Sequence, residues 1–232
     1  MKKFGILIFI TAIILGIFVT SFFSIGQAAK PFFNLSFNKK TKGSGKVATD
    51  VRDLRDFKGI DVSGVFQVEI TSQKDFGVEV EADDNLLPLI KTEVRGGVLH
   101  IETEGRISTD NGLKIRISAP DINDIDASGV AKVNLSSIKT DELRIHTSGA
   151  SKIKVNGEAA KLFVKVSGAS NIEAADLKAV DADIDASGAS SVSVFATGEL
   201  LTDASGASKI RYSGSPKSVE KRSSGASSVR EN

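Results

Sequence analysis

The stretch VDADIDASG, residues 180–188, sets Asp181, Asp183 and Asp185 two residues apart. On a β-strand alternate residues share a face, so this spacing would put three carboxylates side by side. Hard oxygen ligands so arranged are candidates to hold Ca²⁺. They are also the one starting point for acid/base work on a polysaccharide. A plainer reading is a charge ladder on a solvated wall. If the repeat described below stacks, Lys165 aligns with Asp185 one coil earlier, Asp203 one coil later, and Arg222 beyond it. Exposed pairs of that kind contribute about 0–1 kcal/mol each. The ladder accounts for the same residues without a ligand, so no metal or other cofactor is expected.

His100 and His146 are the only two histidines, and neither has a second histidine at metal-ligand spacing. Both read as ordinary surface residues. Asp53, Asp56, Asp83 and Asp84 form no recognisable catalytic pairing. The recurring Gly-Ala-Ser looks like part of a phosphate loop or a nucleophile motif. A phosphate loop, however, needs a strand, a fixed glycine spacing and a following helix, and a nucleophile elbow needs G-x-S-x-G. A catalytic serine also occurs once rather than six times. No catalytic and no cofactor-binding residue is therefore assigned.

Composition narrows the classes further. The 232 residues carry 30 basic and 29 acidic side chains, a net charge of +1. That balance lacks the basic surplus of a nucleic-acid binder, so no nucleic-acid partner is expected. With no cysteine, disulfides, thiolate metal sites, a cysteine nucleophile and an acylated lipoprotein anchor are all excluded. Lys2 and Lys3 precede an uncharged run over residues 4–25, long enough to span a bilayer core. Gly26-Gln27-Ala28 also satisfies a small-x-small cleavage rule. Residues 1–29 are thus a signal anchor or a cleaved signal peptide, and the length of the run favours the anchor. Residues 30–50, rich in Lys, Gly, Ser and Thr, read as a flexible basic linker. The domain itself is assigned to residues 51–232 and placed outside the cytoplasm.

A Ser-Gly motif begins at Ser128, Ser148, Ser167, Ser187, Ser205 and Ser224, at intervals of 20, 19, 20, 18 and 19. Apolar residues alternate on either side of it, as in Ile153 and Val155 or Val164 and Val166, which is the period of a strand. The interruptions leave no room for helices of useful length. Short strands repeating near every 20 residues predict an all-β, single-domain parallel solenoid in which each repeat is one coil. Stacked coils lie about 4.8 Å apart, so equivalent positions become neighbours. The glycines from Gly129 to Gly225 would then form a corner column. Ala150, Ala169, Ala189, Ala207 and Ala226 would form a second column, expected to pack against crowded coils. Whether the motif serines face inward or outward depends on whether the chain bends at the glycine.

The front of the domain is strand-rich but less regular. DDNLLPLI, residues 83–90, predicts a short helical turn, and Gly96-Gly97 predicts a hairpin. These elements are expected to form broader first coils that close one end of the stack. FKGIDVSGVFQVEITSQKDFGVEVEADDNLLPLIKTEV, GLKIRISAP and the Ser-Gly-Ala-Ser coils together resemble the bacterial putative auto-transporter adhesin, head GIN domain family. The resemblance covers about residues 50–232. It implies an exported right-handed parallel β-helix, pectin-lyase-like in shape but without catalytic residues, and a role in adhesion. The chain shows no run of membrane-barrel strands after the repeats, a departure from self-translocating relatives.

The leading expectation is a non-enzymatic, membrane-tethered binding module of the cell envelope. Its partner would be an envelope protein, a polysaccharide or a second copy, with the membrane engaged through residues 4–25. Two rivals are a polysaccharide lyase or hydrolase, which would start from the aspartate trio, and an extracytoplasmic sensing domain.

Overall fold

The computed structural model describes residues 40–232, so the proposed anchor and residues 30–39 of the basic stretch lie outside the described residues. The front half holds β1 (Thr41–Lys42), β2 (Val47–Arg52), β3 (Gly59–Gly64), β4 (Gln67–Ser72) and β5 (Gly77–Asp83). A 3-10 turn at Leu87–Leu89 follows, then β6 (Ile90–Arg95), β7 (Val98–Thr103), β8 (Ile107–Ser108) and β9 (Lys114–Ala119). The repeats supply β10 (Asp124–Gly129), β11 (Lys132–Thr147), β12 (Lys152–Val166), β13 (Asn171–Ala186) and β14 (Ser191–Ala196). They end with β15 (Glu199–Ala204), β16 (Lys209–Ser213), β17 (Ser218–Ser223) and β18 (Ser228–Glu231).

These strands wind into a β-solenoid of about five turns. One wall runs through β3, β10 and the second halves of β11, β12 and β13 to β15 and β17, every pair parallel. Another runs through β9, β4 and the first halves of the same long strands to β14, β16 and β18. Period-two alternation sends one set of side chains inward on each wall. Ile60, Ile125, Ile145, Val164 and Ile184 form one inward column, and Val68, Val133, Ile153, Ile172, Val192 and Ile210 form another. All are buried. Burying each such side chain favours the fold by about 1.5–3 kcal/mol, so stacking aliphatics is the main source of stability.

The Ser-Gly-Ala-Ser motif is the corner between the walls. Gly129, Gly149, Gly168, Gly188, Gly206 and Gly225 all have φ between +69° and +89°. A Cβ on any of them would lie no more than 2.8 Å from the carbonyl oxygen of the glycine one coil earlier. Both backbone angle and space therefore demand glycine. The bend turns the glycine outward, and the alanine after it faces outward as strand alternation requires, contrary to the expectation that the alanines pack against crowded coils. Ala150, Ala169, Ala189 and Ala207 are exposed, and their role is carried by the backbone. Each of their N–H groups donates to the preceding corner glycine, at 2.7–2.8 Å. The second serine returns to the interior, where Ser151, Ser170, Ser190 and Ser208 are buried. Ser208 Oγ donates to the Ala186 carbonyl at 3.1 Å, and Ser170 Oγ accepts from Ser151 N–H at 3.2 Å.

The front half departs from the expected broad coils. β5 runs antiparallel to both β2 and β9, and β6 antiparallel to β7. The hairpin between β6 and β7 turns at Gly96 and Gly97, both at positive φ, as predicted. The linker expected over residues 30–50 is also corrected. Residues 41–42 and 47–52 are strands β1 and β2, paired with β8 and β5. β2 is half exposed along its length, which is why its composition reads as a linker.

Candidate functional site

Outward positions on the wall from β3 to β17 carry the chemistry, and the parallel register aligns them into rows. One row reads His100, Asp61, Asp126, His146, Lys165, Asp185, Asp203, Arg222. The row two residues earlier in each strand reads Asp124, Arg144, Phe163, Asp183, Leu201, Glu220. Like charges meet at Asp61–Asp126 and Asp185–Asp203, while opposite charges meet at Lys165–Asp185 and Asp203–Arg222. The ladder that the repeat spacing predicts is thus present in the register.

Local contacts hold several of these groups in place. His100 Nδ1 lies 2.9 Å from Asp61 Oδ2, so His100 has a carboxylate partner rather than standing alone on the surface. The Arg144 guanidinium pairs with Glu142 and lies over the Phe163 ring, 5.9 Å from its centroid. Asp181 Oδ1 accepts the Glu199 N–H at 2.8 Å, tying β13 to the start of β15. Desolvation by their surroundings pushes the Asp124 and Asp126 carboxyls above the usual carboxylate range, partly offset by Arg144 and His146 for Asp124 and by His146 for Asp126. Asp183 and Asp185 are exposed and Asp181 half-buried on the same face, as alternation requires. No three His, Asp or Glu side chains among the described residues converge on a point that could hold a metal ion.

Two hollows meet on this wall at Phe163. The first, about 430 Å³, is lined by Asp124, Asp126, Arg144, His146, Phe163, Lys165, Asp183 and Asp185. The second, about 180 Å³, is lined by Lys161, Phe163, Asp181, Asp183, Glu199 and Leu201. A larger groove of about 970 Å³, which includes Lys58, Gln73, Asp121, Lys139 and Lys178, has no aromatic side chain in its lining. Phe163 and Leu201 escape a reading of single strands because LFVKV looks like an ordinary buried run. Aligning the coils exposes them, since both occupy an outward row otherwise held by Asp, Arg and Glu.

A second buried polar cluster lies in the front half. Asp83 is 1% exposed and accepts from Asn111 Nδ2 at 2.7 Å, from Gly45 N–H at 3.0 Å and from the Thr109 hydroxyl. The Thr109 hydrogen bond, with those from Asn111 and Gly45, holds its carboxyl below the usual carboxylate range. Through these three hydrogen bonds, Asp83 staples the loops after β1 and β8 to the end of β5.

The family described as putative auto-transporter adhesin, head GIN domain, matches residues 56–216. Among solved structures, a putative adhesin from Bacteroides fragilis shares 22% identity at a TM-score of 0.67, covering 82% of this chain and 99% of that one. A putative adhesin from Parabacteroides distasonis shares 24% identity at a TM-score of 0.55, covering 83% and 100%. A protein from the same species, described as a putative lipid binding protein, shares 22% identity at 0.51, covering 84% and 100%. No curated protein sequence matches.

Proposed function

Because the chain belongs to the putative auto-transporter adhesin, head GIN domain family, we propose that it is an exported, non-enzymatic binding module of the cell envelope. The observation that carries this reading is the outward wall from β3 to β17. Its rows of charged side chains are locked in register over successive coils, with a half-buried, outward-facing aromatic at the junction of two hollows. Such a surface is rigid before it meets a partner, so little ordering entropy is lost on association. Names given to the structural relatives, adhesin and lipid-binding protein, agree with a binding role and include no enzyme.

The apolar run at residues 4–25 supplies a tether in the cytoplasmic membrane, with the solenoid held outside it by the residues that follow. No helix among the described residues is long and apolar enough to cross a membrane.

The test is retention of envelope polysaccharide, envelope protein or soluble chain on beads bearing the full chain. Reversing two wall charges with Lys165→Glu and Asp185→Lys should reduce retention at least tenfold while circular dichroism stays unchanged. Equal retention by the variant would overturn the assignment to this wall. Shortening of the polysaccharide during incubation would overturn the non-enzymatic reading.

A further inference from the structure

We propose that Phe163, Asp183 and Leu201 form a saccharide subsite, taking an uncharged oligosaccharide laid along the solenoid axis. The proposal rests on the binding-module reading and names the ligand class of that wall. Register places the three residues side by side on successive coils, with Asp183 flanked by an aromatic ring and an aliphatic side chain. Coils repeat at about 4.8 Å, so Phe163 and Leu201 stand two coil steps apart with a carboxylate between them.

This pattern matches the chemistry of a sugar ring better than that of other polymers. A pyranose has a face of C–H bonds, which packs on the electron-rich face of an aromatic ring. Its hydroxyls donate to carboxylates, which accept only. Small-molecule sites in general combine apolar platforms with a few placed polar groups. Arg144 lines the first hollow and not the second, so it covers Phe163 from the side of the preceding coil. The side toward Leu201 belongs to the second hollow, where one sugar unit would sit over Asp183. The next unit would continue past Phe163 into the first hollow.

Charge selects within saccharides. Asp124, Asp126, Asp183 and Asp185 face Arg144 and Lys165 in the first hollow, and Asp181, Asp183 and Glu199 face Lys161 in the second. Carboxylates outnumber cations in both, so a polyuronate would meet net repulsion.

The experiment is titration of the full chain, in zwitterionic detergent, with cellohexaose, N-acetylchitohexaose and hexagalacturonate. Binding is followed by amide shifts of residues 161–165 and 181–185. At least one uncharged hexasaccharide should shift these amides, and hexagalacturonate should not. Phe163→Leu keeps apolar volume but removes the ring and should weaken binding about tenfold, whereas Phe163→Tyr should restore it. Undiminished binding by Phe163→Leu, preference for hexagalacturonate, or no binding of either uncharged chain at millimolar concentration would overturn the subsite. If the charge-reversed wall loses bead retention while neither sugar binds, only the saccharide assignment falls. If neither retention nor sugar binding responds to any wall variant, the binding-wall reading falls with it.

Discussion

Among the described residues, the first and last coils of the solenoid depart from the regular stack in different ways. At the front, strand direction changes. β5 lies antiparallel to β2 and β9, β6 lies antiparallel to β7, and Phe57, Leu86, Ile90 and Ile122 are fully buried beneath them. At the rear the parallel register continues, and the inward rows change from aliphatic to polar side chains. The inward column Ile125, Ile145, Val164, Ile184 continues as Thr202 and then Lys221, and the column Ile70, Leu135, Val155 reaches Val194, Tyr212 and Glu231. Lys221 Nζ donates to the Tyr212 hydroxyl at 2.8 Å and lies 4.6 Å from the ring centroid. Lys221 is exposed at this inward register position, and a charge there disfavours pairing by a strand laid against β17. The comparison shows that one repeat sequence does not define the whole fold: the front coils close on antiparallel strands, whereas the rear coils keep the parallel register and change only their inward side chains.

The largest expected effect separates the middle of the stack from its rear. Gly168 has φ +81° and lies against the Gly149 backbone on one side, with coil 187–204 on the other. Gly168→Ala combines backbone strain with a clash that neighbouring coils cannot relieve, and should cost about 2–4 kcal/mol. Gly225, at φ +72°, has a coil on one side only among the described residues, so Gly225→Ala should cost about 1 kcal/mol. Urea unfolding of both variants measures the difference. Equal costs would mean that strain at the corner is local and is not transmitted through the stack.

Next comes the front staple. Asp83→Ala leaves Thr109, Asn111 and the Gly45 N–H without their acceptor and should lower Tm clearly, with the loops at 43–45 and 109–111 exchanging amide hydrogen faster. The pH dependence has a definite sign. The folded-state pKa is depressed, so the stabilisation is present above the ordinary carboxylate pKa and is lost as pH falls through the folded value. Unfolding between pH 5 and pH 2 should therefore show a steeper acid loss in the wild type than in Asp83→Asn. Parallel curves would remove Asp83 from the account of the front.

At the rear the effect is on association more than on stability. Lys221→Val puts an aliphatic side chain after Thr202 and makes β17, which has no further partner among the described residues, more apolar. Sedimentation should then reveal concentration-dependent self-association absent from the wild type, with Tm changed by only a few degrees. A variant that stays as monodisperse as the wild type would show that Lys221 does not protect this end.

How much of this was legible follows from what the residues repeat. The period near 19 and the inward aliphatics were readable because register turns each outlier in sequence into an outlier in space. The Gly96-Gly97 hairpin and the turn at residues 87–89 carried their own local chemistry. The corner alanines escape the reading because their small size suggests crowding, whereas alternation from Thr147 already places Ala150 outward and the positive φ at Gly149 turns only the glycine. β2 and β5 were opaque for another reason: an alternating strand looks the same whether its neighbour runs parallel or antiparallel. In the candidate site, the aspartates were visible within one strand, whereas Phe163 required comparison between coils.

The smallest effect compares like-charge contacts near the two ends. Asp126 faces Asp61 in the first regular coil, and Asp185 faces Asp203 toward the rear. Asp126 is exposed like Asp185, but desolvation by its surroundings, with Asp61 and Asp124 adding to it, raises its pKa. A carboxyl whose folded-state pKa is raised binds its proton more tightly in the native state, so the ionised form is a penalty present above that pKa. Asp126→Asn should accordingly stabilise the protein at pH 7, by about 0.5 kcal/mol given its exposure to screening, and the gain should vanish as pH falls below about 4. Asp185 is exposed on an open wall. Asp185→Asn should change stability by no more than about 0.3 kcal/mol, and less in concentrated salt. A double-mutant cycle with Asp61→Asn isolates the front contact. A coupling that is as large for Asp185 with Asp203 as for Asp126 with Asp61 would show that desolvation near the front adds nothing to the repulsion, and that the wall is electrostatically uniform from end to end.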